Sequence, residues 1–152
     1  MEVRHKVLKL VVDIIQYTIY NYHVRKLILK EFTFMATISD LRKEKNLLPM
    51  DWGKIQWLCG QEIDPECEMT FGMVYIDAGT SNPRHIHPNC EELIFVLSGE
   101  CDHSLGDEVH HLEPGMMLRI PRNVPHNATV TSWEPCRMII VYSAPDRQTI
   151  GE

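Results

Sequence analysis

The feature that most constrains this chain is the rhythm of its C-terminal two-thirds. From about residue 54 onward, short runs rich in Val, Ile, Thr, Phe and Trp follow one another closely, at 55–59, 68–76, 93–98, 100–105, 108–112, 116–120, 127–131 and 137–142. Such side chains suit a pleated, half-buried surface. Gly106-Asp107 sits between two of the runs as a tight hairpin turn, and Pro114-Gly115 and Pro121 punctuate others. Many short strands with turn signals and no intervening helix predict an all-β sandwich or barrel. No internal repeat accompanies them.

The first 34 residues differ in kind. They hold six Lys/Arg against three Asp/Glu, whereas residues 35–152 hold nine against eighteen, so the charge changes from +3 to −9. Leu8, Val11, Ile15, Ile19 and Tyr22 recur at three- and four-residue steps, the stripe of a helix. Thr18, Tyr20, Tyr22 and Val24 also alternate as in a strand; the expectation adopted is a helix. Met35-Ala-Thr resembles a translation start, and Ser39 to Glu44 reads as a short capped helical turn. The expected organisation is an N-terminal helical extension, 1–34, followed by a barrel domain, 35–152. Two readings of the extension stand side by side: an upstream addition to a smaller protein, or a helix that docks on the barrel or a second subunit. The apolar stretch 7–24 is interrupted by Lys9, Asp13, Gln16, Asn21 and His23, which argues against a membrane span or signal peptide.

At 152 residues and 44% hydrophobic, the chain suits one globular domain rather than a disordered or low-complexity one. Its net charge of −6 offers no footprint for a phosphate backbone, so nucleic acid is excluded as a default partner. Five cysteines form no Cys-x-x-Cys pair, and an odd number cannot all pair within one chain. A reduced, cytoplasmic location is the simpler expectation.

His85-Ile86-His87 carries the chemistry. Strand side chains alternate, so both imidazoles can address one metal ion. Glu92 follows across a turn containing Pro88 and Asn89, and His126 lies beyond Pro121 and Pro125. Three neutral imidazoles and a carboxylate suit one divalent transition metal such as Fe, Mn, Ni or Zn. The frame around them is more specific than the pair itself. Gly79, five residues, His85-x-His87, four residues, Glu92, six residues and Gly99 resembles the first motif of the cupin superfamily. Gly115, five residues, Pro121 and then His126 resembles its second motif, and fifteen residues separate Gly99 from Gly115, as in small single-domain cupins. The resemblance spans roughly residues 55–143. It implies a double-stranded β-helix, a jelly-roll barrel, with His85, His87, Glu92 and His126 as metal ligands inside it. Asn123 stands where the family usually has Gly; Asn is the residue that best tolerates the positive φ such a turn demands. Val130 replaces a later Asn, without loss of a ligand.

Other residues have two readings each. Tyr75, Glu100 and Tyr142 are candidate general acids or bases, and Arg119 a candidate receiver of a substrate carboxylate or a partner of an acidic neighbour. His103, His110 and His111 flank the Gly106-Asp107 hairpin, where histidines are expected to be solvated. Cys90 lies between His87 and Glu92, as a redox-sensitive thiol or a plain loop cysteine. Met69, Phe71, Met73 and Tyr75 share a strand face, as core or dimer interface.

An octahedral ion with four protein ligands keeps about two positions open. The resemblance therefore implies an enzyme acting on a small oxygen-rich substrate (sugar, sugar acid, keto acid or catechol), as an isomerase or lyase or as a dioxygenase. Cupin lyases of dimethylsulfoniopropionate usually carry Tyr two residues after the ligand glutamate; Ile94 stands there. The rival is a non-catalytic module that uses the metal to hold a small molecule or sugar. Exposed barrel edges and a broad sheet face predict a homodimer.

Overall fold

The computed structural model describes residues 16–19 and 36–151. The chain divides into two compact units, residues 1–36 and 37–152. In the first, residues 16–19 form an exposed helical turn. The rest of the expected stripe, Leu8, Val11, Ile15 and Tyr22, lies outside the described residues, as does Met35. No helix among the described residues is long and apolar enough to cross a membrane.

The second unit is almost entirely strand. After a 3₁₀ turn at Leu41–Lys43, capped by the Asp40 side chain on the Arg42 N–H, come β1 (Leu47–Met50), β2 (Gly53–Cys59), β3 (Thr70–Ile76), β4 (His85–Ile86), β5 (Glu92–Ser98), β6 (Cys101–Leu105), β7 (Glu108–Leu112), β8 (Met117–Ile120), β9 (His126–Val130), β10 (Cys136–Tyr142) and β11 (Ile150–Gly151). They form two antiparallel sheets, β1-β2-β3-β10-β5-β8 and β11-β4-β9-β6-β7. The eight expected runs match β2, β3 and β5 to β10 within a residue or two. β4 is the strand on which His85-Ile86-His87 was expected to alternate, although it is only two residues long, whereas β1 and β11 lie outside the expected runs. Pro49 argues against a strand, yet β1 is an edge strand, where proline is tolerated; β11 is a two-residue pairing with no period to read.

Alternation sets the interior. In β5, Glu92, Ile94 and Val96 are buried while Leu93, Phe95 and Leu97 are exposed. Val74, Ile76, Cys101, Leu112, Ile120, Ala128, Val130, Met138 and Ile140 complete one core between the sheets. At an upper estimate of about 25 cal/mol per Å² of apolar surface, such burial is the main term holding the sheets together. One close approach shapes this interior: a Cβ at Gly72 would meet the Trp57 ring at 2.8 Å, so the indole packs this closely on β3 because residue 72 is glycine.

The C-terminal segment turns back along the β4–β5 connection. The Ser143 N–H donates to the Glu91 carbonyl at 3.1 Å, the Gln148 N–H to Asn89 Oδ1 at 2.9 Å, and Ile150 pairs with Ile86. That return carries Gln148 and Arg147 to the mouth of the barrel.

Candidate metal centre

The cluster draws on both sheets, with His85 and His126 on paired strands of one and Glu92 on the other. His85 on β4 stands directly across from His126 on β9, and Glu92 on β5 stands across from Tyr142 on β10. The turn before His126 is fastened to the first motif: Asn123 adopts φ 60° and its N–H donates to the His87 carbonyl at 3.1 Å. Asparagine thus fills the glycine position without abandoning the turn. One ligand atom from each of His85, His87, Glu92 and His126 lies within 4.8 Å of the others. His87 and His126 are 2% exposed and Glu92 5%.

Hydrogen bonds fix which nitrogens face the centre. His85 Nδ1 is 2.7 Å from the Pro83 carbonyl, His87 Nδ1 is 2.7 Å from the Gln148 carbonyl, and His126 Nδ1 is 2.8 Å from the Val124 carbonyl. A carbonyl only accepts, so each Nδ1 carries a proton and donates it. In the neutral ring, each Nε2 is then a lone pair turned inward. Glu92 Oε2 sits 3.2 Å from Nε2 of both His87 and His126, while Oε1 accepts from the Tyr142 hydroxyl at 2.8 Å.

Lone pairs and a carboxylate oxygen at this spacing repel unless something positive joins them. Protonating the three rings would place three imidazolium charges in one buried pocket. Burial, with the neighbouring His126, pushes the His85 imidazole down to about 4, which opposes that solution. The Tyr142 hydroxyl, donating to Glu92 Oε1, favours the ionised carboxylate. His87 Nε2 is buried with no hydrogen-bond partner among the described residues. Three nitrogen donors, an ionised oxygen donor and an orphaned inward nitrogen fit one divalent cation.

The cluster lies in a cavity of about 400 Å³. Of the further candidates, Tyr142 lines it, whereas Tyr75, Glu100 and Arg119 do not. Tyr75 alternates with the inward Val74 and Ile76, and its ring lies under Lys54 and Arg137. Glu100 is half exposed beside His111. Arg119 pairs with Glu91 at 2.5 Å on the outside. Burial, reinforced by the Glu92 charge, raises the Tyr142 hydroxyl well above its usual value, so it serves as a donor to Glu92 rather than as a base.

His103 corrects the expectation of a solvated hairpin histidine. It is 3% exposed, lines the cavity and stacks on His126 with ring centroids 5.8 Å apart. Burial, then the neighbouring His126 imidazole, pushes it down to about 4, so it is neutral near pH 7. The alternation of Cys101 and His103 against Asp102 and Ser104 was the available signal. His110 and His111 remain at the surface beside the acidic side chains of Glu108 and Asp102. Cys90 is fully buried, and burial pushes its thiol up, which opposes thiolate reactivity.

A jelly-roll barrel with a three-histidine, one-carboxylate cluster between its sheets defines a class of protein: a small β-barrel able to hold a divalent ion. Residues 72–142 match the cupin domain family. Over 81 residues the chain is 31% identical to an uncharacterized protein of Streptomyces coelicolor, covering 53% of this chain and 75% of that one. The chain belongs to the cupin family. It is also 31% identical over 68 residues to the protein SchB of Streptomyces halstedii, covering 45% of this chain and 49% of that one. Among solved structures, the formate complex of Lactobacillus farciminis oxalate decarboxylase superposes with a TM-score of 0.67 at 18% identity, over 72% of this chain and 34% of that one. A Bacillus subtilis oxalate decarboxylase superposes with a TM-score of 0.66 at 15% identity, over 72% and 30%; the Bacillus subtilis enzyme has Mn(II) centres. This chain spans about a third of the length of those enzymes, and the likeness is one of fold.

Proposed function

We propose that the barrel is a mononuclear divalent-metal enzyme that binds a small oxygen-bearing substrate at the open face of the cluster and catalyses an isomerase- or lyase-type proton transfer. The observation that carries this reading is the common orientation of His85, His87 and His126, each with Nδ1–H given to a backbone carbonyl and Nε2 turned toward Glu92. Those four residues would hold the ion. When bound, it would act as a Lewis acid toward a carbonyl or enol oxygen.

The chain's own side chains supply the rest. The Tyr142 hydroxyl holds Glu92 Oε1 and leaves Oε2 facing the imidazoles. Ile94, Met138 and Ile140 wall the cavity with apolar surface that keeps bulk water from the reacting centre. His103 is a neutral imidazole on that wall outside the cluster, placed to take a proton from a bound substrate and return it to another atom.

Two measurements test the proposal. Elemental analysis of protein purified without added metal is expected to find one divalent ion per chain, and His87→Ala to lose most of it. Keto acids, sugar acids and catechols are then assayed with Fe, Mn, Ni and Zn forms, with and without oxygen. Turnover that persists anaerobically is the expected result. Strict dependence on oxygen uptake would instead select a ring-opening dioxygenase. Metal-dependent binding of these compounds without turnover by any form would select a non-catalytic binding module.

A further inference from the structure

The cavity contains one arginine whose charge the cluster does not use. Arg147 reaches the mouth on the returning C-terminal segment and lines the same space as His85, His87, Glu92 and His126. Its guanidinium lies over two rings, with Cζ 4.4 Å from the Trp57 centroid and 5.2 Å from that of Tyr142. Nη1 donates to the Thr149 hydroxyl. Nε is buried with no hydrogen-bond partner among the described residues. Arg119 and Arg42, by contrast, each pair with a carboxylate. A partly buried guanidinium held in place by aromatic faces, with its Nε buried and no carboxylate paired to it among the described residues, is a ready receiver for a carboxylate.

The walls restrict what that carboxylate can belong to. Trp52, Ile55, Trp57, Val74, Ile94 and Met138 supply apolar lining. Much of the polar lining outside the cluster is already engaged: Asn82 Oδ1 accepts from the Ala128 N–H at 2.7 Å, and the Tyr142 hydroxyl is held by Glu92. A sugar would bring several hydroxyls to a wall with few groups to meet them, and each unmet hydroxyl would be desolvated without return. An apolar or aromatic body meets that wall directly.

From these contacts we infer that the ligand of this barrel is a small organic acid with an apolar body, its carboxylate held by Arg147 and its other end directed at the metal cluster. Tyr142 joins the two ends, since its ring lies beneath Arg147 and its hydroxyl reaches Glu92. The metal end rests on the function proposed above; the Arg147 end stands on the cavity alone.

The test uses the full chain and two probes of equal shape, 4-phenylbutanoate and the uncharged 4-phenylbutanamide, titrated by calorimetry. Wild type is expected to bind the acid about tenfold or more tightly than the amide, the margin of a charge-assisted hydrogen bond. Arg147→Met keeps length and packing and is expected to bring the ratio to about one. Arg147→Lys, a point charge without the fork, should keep part of the preference, and it also reports if the Met variant does not fold. Chelator-treated wild type is expected to keep the preference. An acid that binds no better than the amide, or not at all at millimolar concentration, overturns the inference, as does undiminished preference in Arg147→Met. Loss of the preference on chelation would place the carboxylate on the metal, which overturns the Arg147 assignment and leaves the metal reading standing. A protein that keeps the preference but purifies without metal and takes up none when Fe, Mn, Ni or Zn is added would leave the Arg147 assignment standing and overturn the metal reading.

Discussion

Tyr142→Phe is the substitution that most cleanly separates the positioning of Glu92 from the cluster itself. It removes one oxygen and leaves the ring, which packs edge-on against His87 at 4.9 Å and tilts against Trp57 at 6.1 Å. Glu92 Oε1 then loses its donor at 2.8 Å, in a residue 5% exposed, where water cannot readily replace it. A hydrogen bond to a buried charge contributes about 1.5–3 kcal/mol. For a β-unit of this size each kcal/mol shifts the melting temperature by about 3–6 °C, so the metal-free variant should melt about 5–18 °C lower. The carboxylate loses a bond that favours its ionised form, so the Glu92 pKa should rise. An outer partner of a ligating carboxylate typically contributes about 10–100-fold to metal affinity, and a loss in that range is expected. Thermal melts with and without chelator measure the first effect, and competition against a metal indicator measures the second. A variant that melts within about 1 °C of wild type and binds metal with unchanged affinity would refute the role assigned to the hydroxyl.

The remaining expectations concern other parts of the molecule. The His111 imidazole is raised above its ordinary value of 6.5 by its hydrogen bond to Asp102; a raised pKa gives stability that is complete below 6.5 and fades as the pH climbs through the folded value, so histidine NMR titration should show a midpoint above 6.5 that Asp102→Asn returns toward it. Leu93, Phe95, Leu97 and Met117 form an exposed apolar face on β5 and β8, and we expect a homodimer across it; light scattering should give twice the chain mass for wild type and a monomer for Leu93→Glu with Phe95→Glu, whereas a monomeric wild type would count against the dimer. A chain begun at Met35 is expected to fold and bind metal, because the barrel strands and the cluster lie beyond it; an insoluble or metal-free product would show that residues 1–34 belong to the fold.

Much of this protein was legible before any coordinates. Eight strands announced themselves through β-branched and aromatic runs bounded by Gly and Pro, because turn chemistry and side-chain alternation are local properties of the backbone. The four cluster residues were legible through the resemblance of their spaced glycines, histidines, glutamate and proline to the two cupin motifs, the His-x-His alternation alone being too common a pattern to assign them. Even Asn123 was readable, since the demand for positive φ falls on one residue. What lay beyond the sequence was which residues meet from distant strands. Arg119 and Arg147 are alike on paper; one pairs with Glu91 on the outside and the other reaches the cavity because the C-terminal segment turns back along β4. Tyr75 and Tyr142 both sit on strands, and only the pairing of β10 with β5 puts one of them opposite Glu92. His103 looked like a hairpin residue because polarity hid its place in an inward-facing alternation. Local composition sets elements and turns, whereas the facing of side chains across two sheets depends on register and chain return, which are settled only when the whole barrel closes.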